Sequence, residues 1–264
     1  MLTGITRQPQ HREVIPMSKR SGKVRIGTSG WSYPHWHGPF YPDDLGTEEE
    51  LRYFAERFAT AEINNSFYHL PETATLEHWA SCTPASFRFA VKGSRYITHA
   101  KKLKDPEEPL SRLIERVDVL GRRLGPILFQ LPPNWHVNTD RLEQFLDVLP
   151  TRHHYAFEFR DPSWHCDQVY RLLEKRRAAF CIFDMAGHLS PKRTTTRFVY
   201  VRLHGPADEA YKGRYDGRTL AGWAGAFDAW ARQGRDVWCY FDNDEAAYAA
   251  GNARRLADML ADTP

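Results

Sequence analysis

About eight short apolar runs alternate with period two along this chain, and nearly every one ends in a charged or amide side chain. They are Val24–Trp31, Glu62–Tyr68, Phe87–Lys92, Ile127–Leu131, Tyr155–Arg160, Ala179–Asp184, Phe198–His204 and Val237–Asp242. Helical patterns lie between them, at Glu48–Ala59, Thr75–Cys82, Leu110–Leu124, Thr139–Val148, Asp167–Arg177, Leu220–Arg232 and Ala246–Leu260. In the third, Leu110, Leu113, Ile114, Val117 and Leu120 share one stripe, and Gly125 stands where a C-terminal stop is expected. Alternating strands and helices argue for a parallel sheet, and about eight strands argue for its closure. The fold expected is α/β, a (β/α)₈ TIM barrel, with an open doubly wound sheet as the structural alternative. One crossover departs from the rule. Gly187–Arg197, after the sixth strand, holds Pro191 and a threonine run, so an irregular connection is expected there.

The length of 264 residues suits one such barrel, which typically needs about 250. Residues 23–264 therefore read as a single TIM-barrel domain. Met1–Gly22 is polar and basic without the apolar core of a signal peptide, and reads as a disordered tail, with Met17 a second candidate start. No run approaches the ~20 apolar residues of a membrane span, so no membrane partner is expected. Cys82, Cys166, Cys181 and Cys239 form no C-x-x-C pair, which points to a reducing, cytoplasmic setting. A net charge of +3 is far from the signature of a dedicated nucleic-acid binder, yet it permits an anionic ligand. Nothing in the pattern fixes the oligomeric state.

Parity along the strands separates two faces. In Tyr155–Arg160 the rings share one parity, and Ala156, Glu158 and Arg160 share the other. The same split recurs in Phe87–Lys92 and Phe198–His204. In a barrel the apolar parity faces the helices and the other lines the interior. The interior near the carboxyl ends of the strands, where barrels bind substrates, would then hold Glu62, Asn64, Lys92, Gln130, Glu158, Arg160, Asp184, Arg202, His204 and Asp242.

Several ordered strings resemble one family. They are Gly27-Thr28-Ser29-Gly30-Trp31, Glu62-Ile63-Asn64-Asn65, Lys92-Gly93-Ser94-Arg95 with Thr98-His99, and Phe129-Gln130-Leu131-Pro132-Pro133. Further on come Glu158-Phe159-Arg160-Asp161-Pro162-Ser163-Trp164, Tyr200-Val201-Arg202-Leu203-His204-Gly205 and Tyr240-Phe241-Asp242-Asn243-Asp244. From Val24 onward the chain is similar to the YecE-like family, domain of unknown function 72. The resemblance implies a TIM barrel and carries no established activity. One departure stands out, because the family's last strand tends to end in two asparagines and here the first is Asp242.

Four sets of side chains bear on chemistry. Glu62, Glu158, Asp184 and Asp242 offer paired carboxylates for acid–base work, or else neutralise buried arginines. A retaining glycosidase is disfavoured, since Gln130 and His204 occupy the strand ends where its carboxylates would stand. Lys92, Arg160, Arg202 and Arg95 suit a phosphate or carboxylate. The backbone N–H groups of Gly27–Gly30 offer a weak additional anion nest. His69, His99, His165 and His204, with Glu62, Glu158, Asp161, Asp184 and Asp244, are the candidate metal ligands. They contain no H-x-H or H-E-x-x-H pair, so no cofactor is predicted and a divalent metal is the weaker alternative. Trp31, Tyr33, Trp36, Phe40, Tyr41, Trp164, Tyr211 and Tyr215 fall in loops on the site's face, as stacking surfaces or as a lid.

The leading expectation is an enzyme, a hydrolase or lyase acting on a phosphorylated or nucleic-acid-derived substrate. Glu62 or Glu158 would be the general base and His204 the proton donor, with Asp184 a further candidate acid. Lys92, Arg160 and Arg202 would clamp the anion, with Asn64 and Gln130 orienting it. Asp242, Asn243, Trp31, Trp164, Tyr211 and Tyr215 would line the ligand site. The alternatives are a non-catalytic nucleic-acid-binding protein and a small-molecule sensor.

Overall fold

The computed structural model describes residues 21–261. Most of the expected tail therefore lies outside the described residues; within them, Ser21 and Gly22 both donate to the Ala231 carbonyl. The strands are β1 (Val24–Thr28), β2 (Thr60–Ile63), β3 (Arg88–Lys92), β4 (Leu124–Leu131), β5 (Tyr155–Phe159), β6 (Ala179–Met185), β7 (His188–Leu189), β8 (Phe198–Leu203) and β9 (Asp236–Phe241). Eight of them run parallel in the order β1-β9-β8-β6-β5-β4-β3-β2, and β7 is a short antiparallel partner of β6. The helices are α1 (Thr47–Ala55), α2 (Thr73–Cys82), α3 (Glu107–Val117), α4 (Thr139–Val148), α5 (Asp167–Lys175), α6 (Gly217–Arg232) and α7 (Tyr248–Ala261). The result is a nearly closed TIM-like barrel.

Each helix buries one stripe against the outward parity of the strands. Leu110, Leu113, Ile114 and Val117 do this for α3, and Val169, Tyr170 and Leu173 for α5. Two starts carry side-chain caps: Asn138 accepts from the Arg141 amide at 2.9 Å, and Asp216 from the Thr219 amide at 2.7 Å. No helix joins β6 to β8, as the proline and threonines of that segment foretell. Hydroxyl groups hold the connection instead: Ser190 Oγ accepts from the Phe183 amide at 2.8 Å, and Thr195 Oγ1 from the Phe180 amide at 2.9 Å.

Several boundaries differ from expectation, such as the first strand, which ends at Thr28, and the first helix, which ends at Ala55. The third helix ends at Val117 and continues as 3₁₀ turns over Asp118–Arg123. Gly125 is no helix stop; it lies inside β4, where a Cβ would come within 3.1 Å of the Phe89 carbonyl oxygen on β3. The second strand begins at Thr60 and ends at Ile63, because Asn65–Phe67 coils into a 3₁₀ turn. Ser66 Oγ secures that turn to the carbonyls of Ile63 at 3.0 Å and Lys92 at 2.6 Å.

The barrel closes between β1 and β2 through one bridge, Ser29 to Glu62, where the Gly30 amide donates to the Glu62 carbonyl at 2.8 Å. Gly27 permits this seam, since a Cβ there would lie 1.9 Å from the Thr60 carbonyl oxygen. Inside, the barrel has two storeys. Phe198, Trp238, Tyr200, Tyr240, Leu128, Ala156 and Cys181 belong to a buried apolar cluster. Above it, toward the carboxyl ends of the strands, the interior becomes ionic.

Candidate active site

Arg202, near the end of β8, is fully buried at the centre of the mouth. Burying a guanidinium is unfavourable unless its N–H groups are matched, and here they are. Nε and Nη2 donate to Glu62 Oε1 at 3.1 and 2.7 Å. Nη2 also donates to Ser29 Oγ at 2.9 Å and Asp242 Oδ2 at 3.1 Å, while Nη1 donates to Glu158 Oε2 at 3.0 Å. Glu62 is equally committed: Ser29 Oγ donates to its Oε1, and the Tyr200 hydroxyl to its Oε2 at 2.6 Å. Strand ends far apart in sequence thus contribute to one ion cluster.

A second layer completes it. Arg160 Nε donates to Glu158 Oε1, and Arg160 also touches Met185 Sδ and lies 5.1 Å from the centre of the Phe183 ring. His204 Nε2 faces Arg160 Nη2 at 3.1 Å and Arg202 Nη1 at 3.4 Å, so this nitrogen is the acceptor. The Nδ1–H then donates to Asp242 Oδ2 at 3.0 Å. Burial pushes the Glu158 carboxyl up, but Arg160 and Arg202 outweigh it and hold the group well below the usual carboxylate range. Asp242 is lowered in the same way, burial opposing and Arg202 prevailing. Both oxygens of Glu158 are held by guanidinium groups, whereas Glu62 shares its two oxygens between Arg202 and Ser29 on one side and the Tyr200 hydroxyl on the other.

The edge of the mouth at β2, β3 and β4 is different. Among the described residues, the side chains of Lys92, Asn64 and Gln130 make no hydrogen bond or ion pair, and the Asn64 Oδ1 is buried without a partner. Lys92 Nζ sits 4.4 Å from the centre of the Phe67 ring. Burial, and then the charge of Arg202, push its amine down to about 8. His99 lies nearby, 5.1 Å from Phe67. Burial together with the charges of Arg95, Lys92 and Arg160 pushes its imidazole down to about 4. Arg95 is exposed on the connection that follows β3.

Several expected site residues lie elsewhere. Asp184 is not interior. Register pairs Phe183 with Arg202 and Asp184 with Leu203, so β6 turns Phe183 inward and the carboxylate outward, beside Tyr215. Trp164 is fully buried, stacked on Phe159, with its Nε1 donating to the Trp135 carbonyl at 2.5 Å. Tyr215 is buried too, and its hydroxyl accepts from the Gly205 amide at 3.0 Å. Asn243 faces outward and donates to the Gly213 carbonyl at 2.9 Å and Asn252 Oδ1 at 3.0 Å, fastening the loop after β8 to α7. Trp31 packs edge-on against Trp79 at 4.9 Å, lining a cavity of about 390 Å³ beside the mouth between α1 and α2. The Gly27–Gly30 nest is consumed by the seam, because the Ser29 and Gly30 amides bond to the Phe241 and Glu62 carbonyls. Tyr211 does reach the mouth, its ring 5.5 Å from that of His204.

Other contributors escaped the sequence reading. Ser29 and Tyr200 satisfy Glu62, and Cys181 Sγ lies 3.8 Å from Glu158 Oε2. Tyr200 and Cys181 share the interior parity of their strands, which was the available signal. Tyr68 and Tyr96 are 74% and 50% exposed on loops at this same end of the barrel, joined by Tyr211 at 46%. They stand near the start of connections, where a single ring carries no periodic signal. Among the described residues, no three His, Cys, Asp or Glu side chains are grouped to hold a metal ion, and no helix is long and apolar enough to cross a membrane.

Comparison with known proteins places this geometry in context. The family model described as protein of unknown function DUF72 matches residues 25–264. The UPF0759 protein YunF of Bacillus subtilis is 23% identical, over 90% of this chain and 94% of its own length. The UPF0759 protein YecE of Escherichia coli K12 is 30% identical, over 53% of this chain and 50% of its own. A DUF72 family protein of Thermotoga maritima superposes with a TM-score of 0.83 at 28% identity, covering 91% of this chain and all of that one (100%). Another, from Enterococcus faecalis, shares the fold with a TM-score of 0.77 at 18% identity, covering 91% and 96% of the two chains.

Proposed function

The chain belongs to the DUF72 family, and from that premise we propose that the barrel mouth is the active site of an enzyme acting on a small anionic substrate, phosphorylated or derived from nucleic acid. The observation that carries this reading is the imbalance along the β3 edge. Glu62, Glu158 and Asp242 are already engaged by Arg202, Arg160 and His204. Lys92, Arg95, Lys102 and Lys104 make no ion pair among the described residues, and all lie at or after the end of β3. An arriving anion therefore meets these unpaired cations beside a cluster whose carboxylates are already hydrogen-bonded to Arg202, Arg160 and His204. Arg95 is the outer contact and offers a planar, bidentate fork. Asn64 and Gln130 supply unused amides for orienting the ligand. The arginine cluster beneath fixes the shape of the site, and a hydrolase or lyase chemistry falls to the groups on its edge.

Titration calorimetry with inorganic phosphate tests the reading at low ionic strength. Wild type is expected to bind, and Arg95→Ala to bind at least tenfold more weakly, the loss of one charge-assisted contact. Equal affinity in the two proteins, or no binding by either, overturns it.

A second reading is favoured by the exposed rings. Tyr68, Tyr96 and Tyr211 stand beside the same cations, an arrangement that suits stacked bases of a single strand. It predicts a complex with a labelled oligonucleotide at low salt that Tyr96→Ala weakens and that rising salt dissolves. Absence of any anisotropy change at low salt removes this reading.

A further inference from the structure

We propose that Lys92 is the nucleophile of this mouth and forms an imine with an aldehyde or ketone carried by the anionic substrate, such as an open-chain sugar phosphate. The proposal rests on the mouth being an active site, and it adds the reacting atom and the substrate's functional group. Its basis is the contrast between Lys92 and every other charged group of the interior. A lysine retained for structure is normally paired when it leaves water. Lys92 has three carboxylates in its electrostatic surroundings, yet Glu62, Glu158 and Asp242 make their hydrogen bonds to other groups. Its Nζ is left over the Phe67 ring, 4.4 Å from the centroid, with no hydrogen-bond acceptor among the described residues.

The backbone that carries it is held on both sides. The Lys92 carbonyl accepts from Ser66 Oγ at 2.6 Å, and the Gly93 amide donates to the Leu128 carbonyl at 2.7 Å. The strand end that carries the side chain is thus held in place, and the amine reaches from it over the Phe67 ring. Burial and the neighbouring Arg202 bring its titration to about 8, so that roughly a tenth is neutral at pH 7. Arg95, on the connection that follows β3, is available for the anionic end of the substrate, while Gln130 has an amide free for the oxygen that departs.

The step balances without a redox partner. The Nζ lone pair forms a C–N bond to the carbonyl carbon as the C=O π bond breaks, giving a carbinolamine. The oxygen then leaves as water with both protons of the amine, and a C=N bond remains. The imine can afterwards act as an electron sink for cleavage or proton loss at the adjacent carbon.

Trapping with sodium cyanoborohydride reads this directly. The protein is incubated at pH 7 with D-glyceraldehyde 3-phosphate and, in parallel, with uncharged glycolaldehyde, and the reduced adduct is located by peptide mass mapping. Labelling of Lys92 at least tenfold above any other lysine is expected, and Lys92→Arg should lose that adduct. Labelling spread over exposed lysines, or unchanged total labelling in Lys92→Arg, overturns the proposal. The two readings fail separately. Phosphate binding that depends on Arg95 beside unselective labelling removes the imine and leaves the anion site. Selective labelling of Lys92 by glycolaldehyde in a protein that binds no phosphate leaves the nucleophile and removes the anion site.

Discussion

Arg202 and Lys92 both project into the barrel from near the ends of strands, but Arg202 meets Ser29 and three carboxylates while Lys92 meets none. The first belongs to a saturated centre, in which each charge is the condition for burying the next. The second belongs to an edge where Lys92, Asn64 and Gln130 are left without protein partners. Charge density alone does not tell the two regions apart. What separates them is charge that the fold has not used.

The comparison breaks most readily at the centre. Arg202→Met should remove about 3–5 kcal/mol of stability, because Glu62 would stay buried without its cation and Glu158 would keep only Arg160. Denaturant unfolding measures this, and a loss below about 1 kcal/mol would show that the centre is no scaffold. A smaller effect is expected for Glu158→Gln, about 1–3 kcal/mol at neutral pH, since the amide can still accept from Arg202. The same variant should change the acid limb. Glu158 is held well below its usual value of 4.5, so its contribution is present above that value and is lost as pH falls through the lower, folded one. Unfolding curves between neutral pH and the acid range should therefore fall less steeply in Glu158→Gln than in wild type.

Lys92→Met sharpens the contrast, because its sign is opposite. A lysine lowered from 10.5 to about 8 binds fewer protons folded than unfolded between those values, so stability rises with pH across that window. At pH 7 the protonated amine opposes folding. Replacing it should raise Tm by about 2–4 °C and flatten the profile between pH 8 and 10.5. A lower Tm would instead place Lys92 in the scaffold.

Much of this was legible in the sequence, for reasons that individual strands make plain. In β5, rings alternate with Ala156 and Glu158, and in β8, Val199 and Val201 alternate with Tyr200 and Arg202, so the inward face declares itself. In β6 both parities are apolar until the end: Ala179, Cys181 and Phe183 against Phe180 and Ile182. Asp184 there offered a charge but no alternation to orient it, and it points outward. The loop aromatics failed for another reason. Trp36 and Trp164 place their N–H on Asp244 and on the Trp135 carbonyl, and such partners make burial feasible without leaving a trace in the local sequence. Gly125 was misread because a glycine that ends a helix and one that lets two strands approach look alike until their neighbours are known.

The seam of the barrel has a consequence for how the chain is made. β1 is paired with β9 along five residues, whereas its seam with β2 is closed by a single bridge, Ser29 to Glu62. During synthesis the earliest strand must therefore wait for the last one before it gains its principal neighbour. Ser29 and Asp242, carried beyond the ends of these two strands, join Arg202 only at that moment. Until then Glu62, Glu158 and Arg202 lack part of their shell. Completion of the charged centre is thus expected late in folding, and a chain truncated before Asp242 should be cleaved by added protease more readily than the full-length protein.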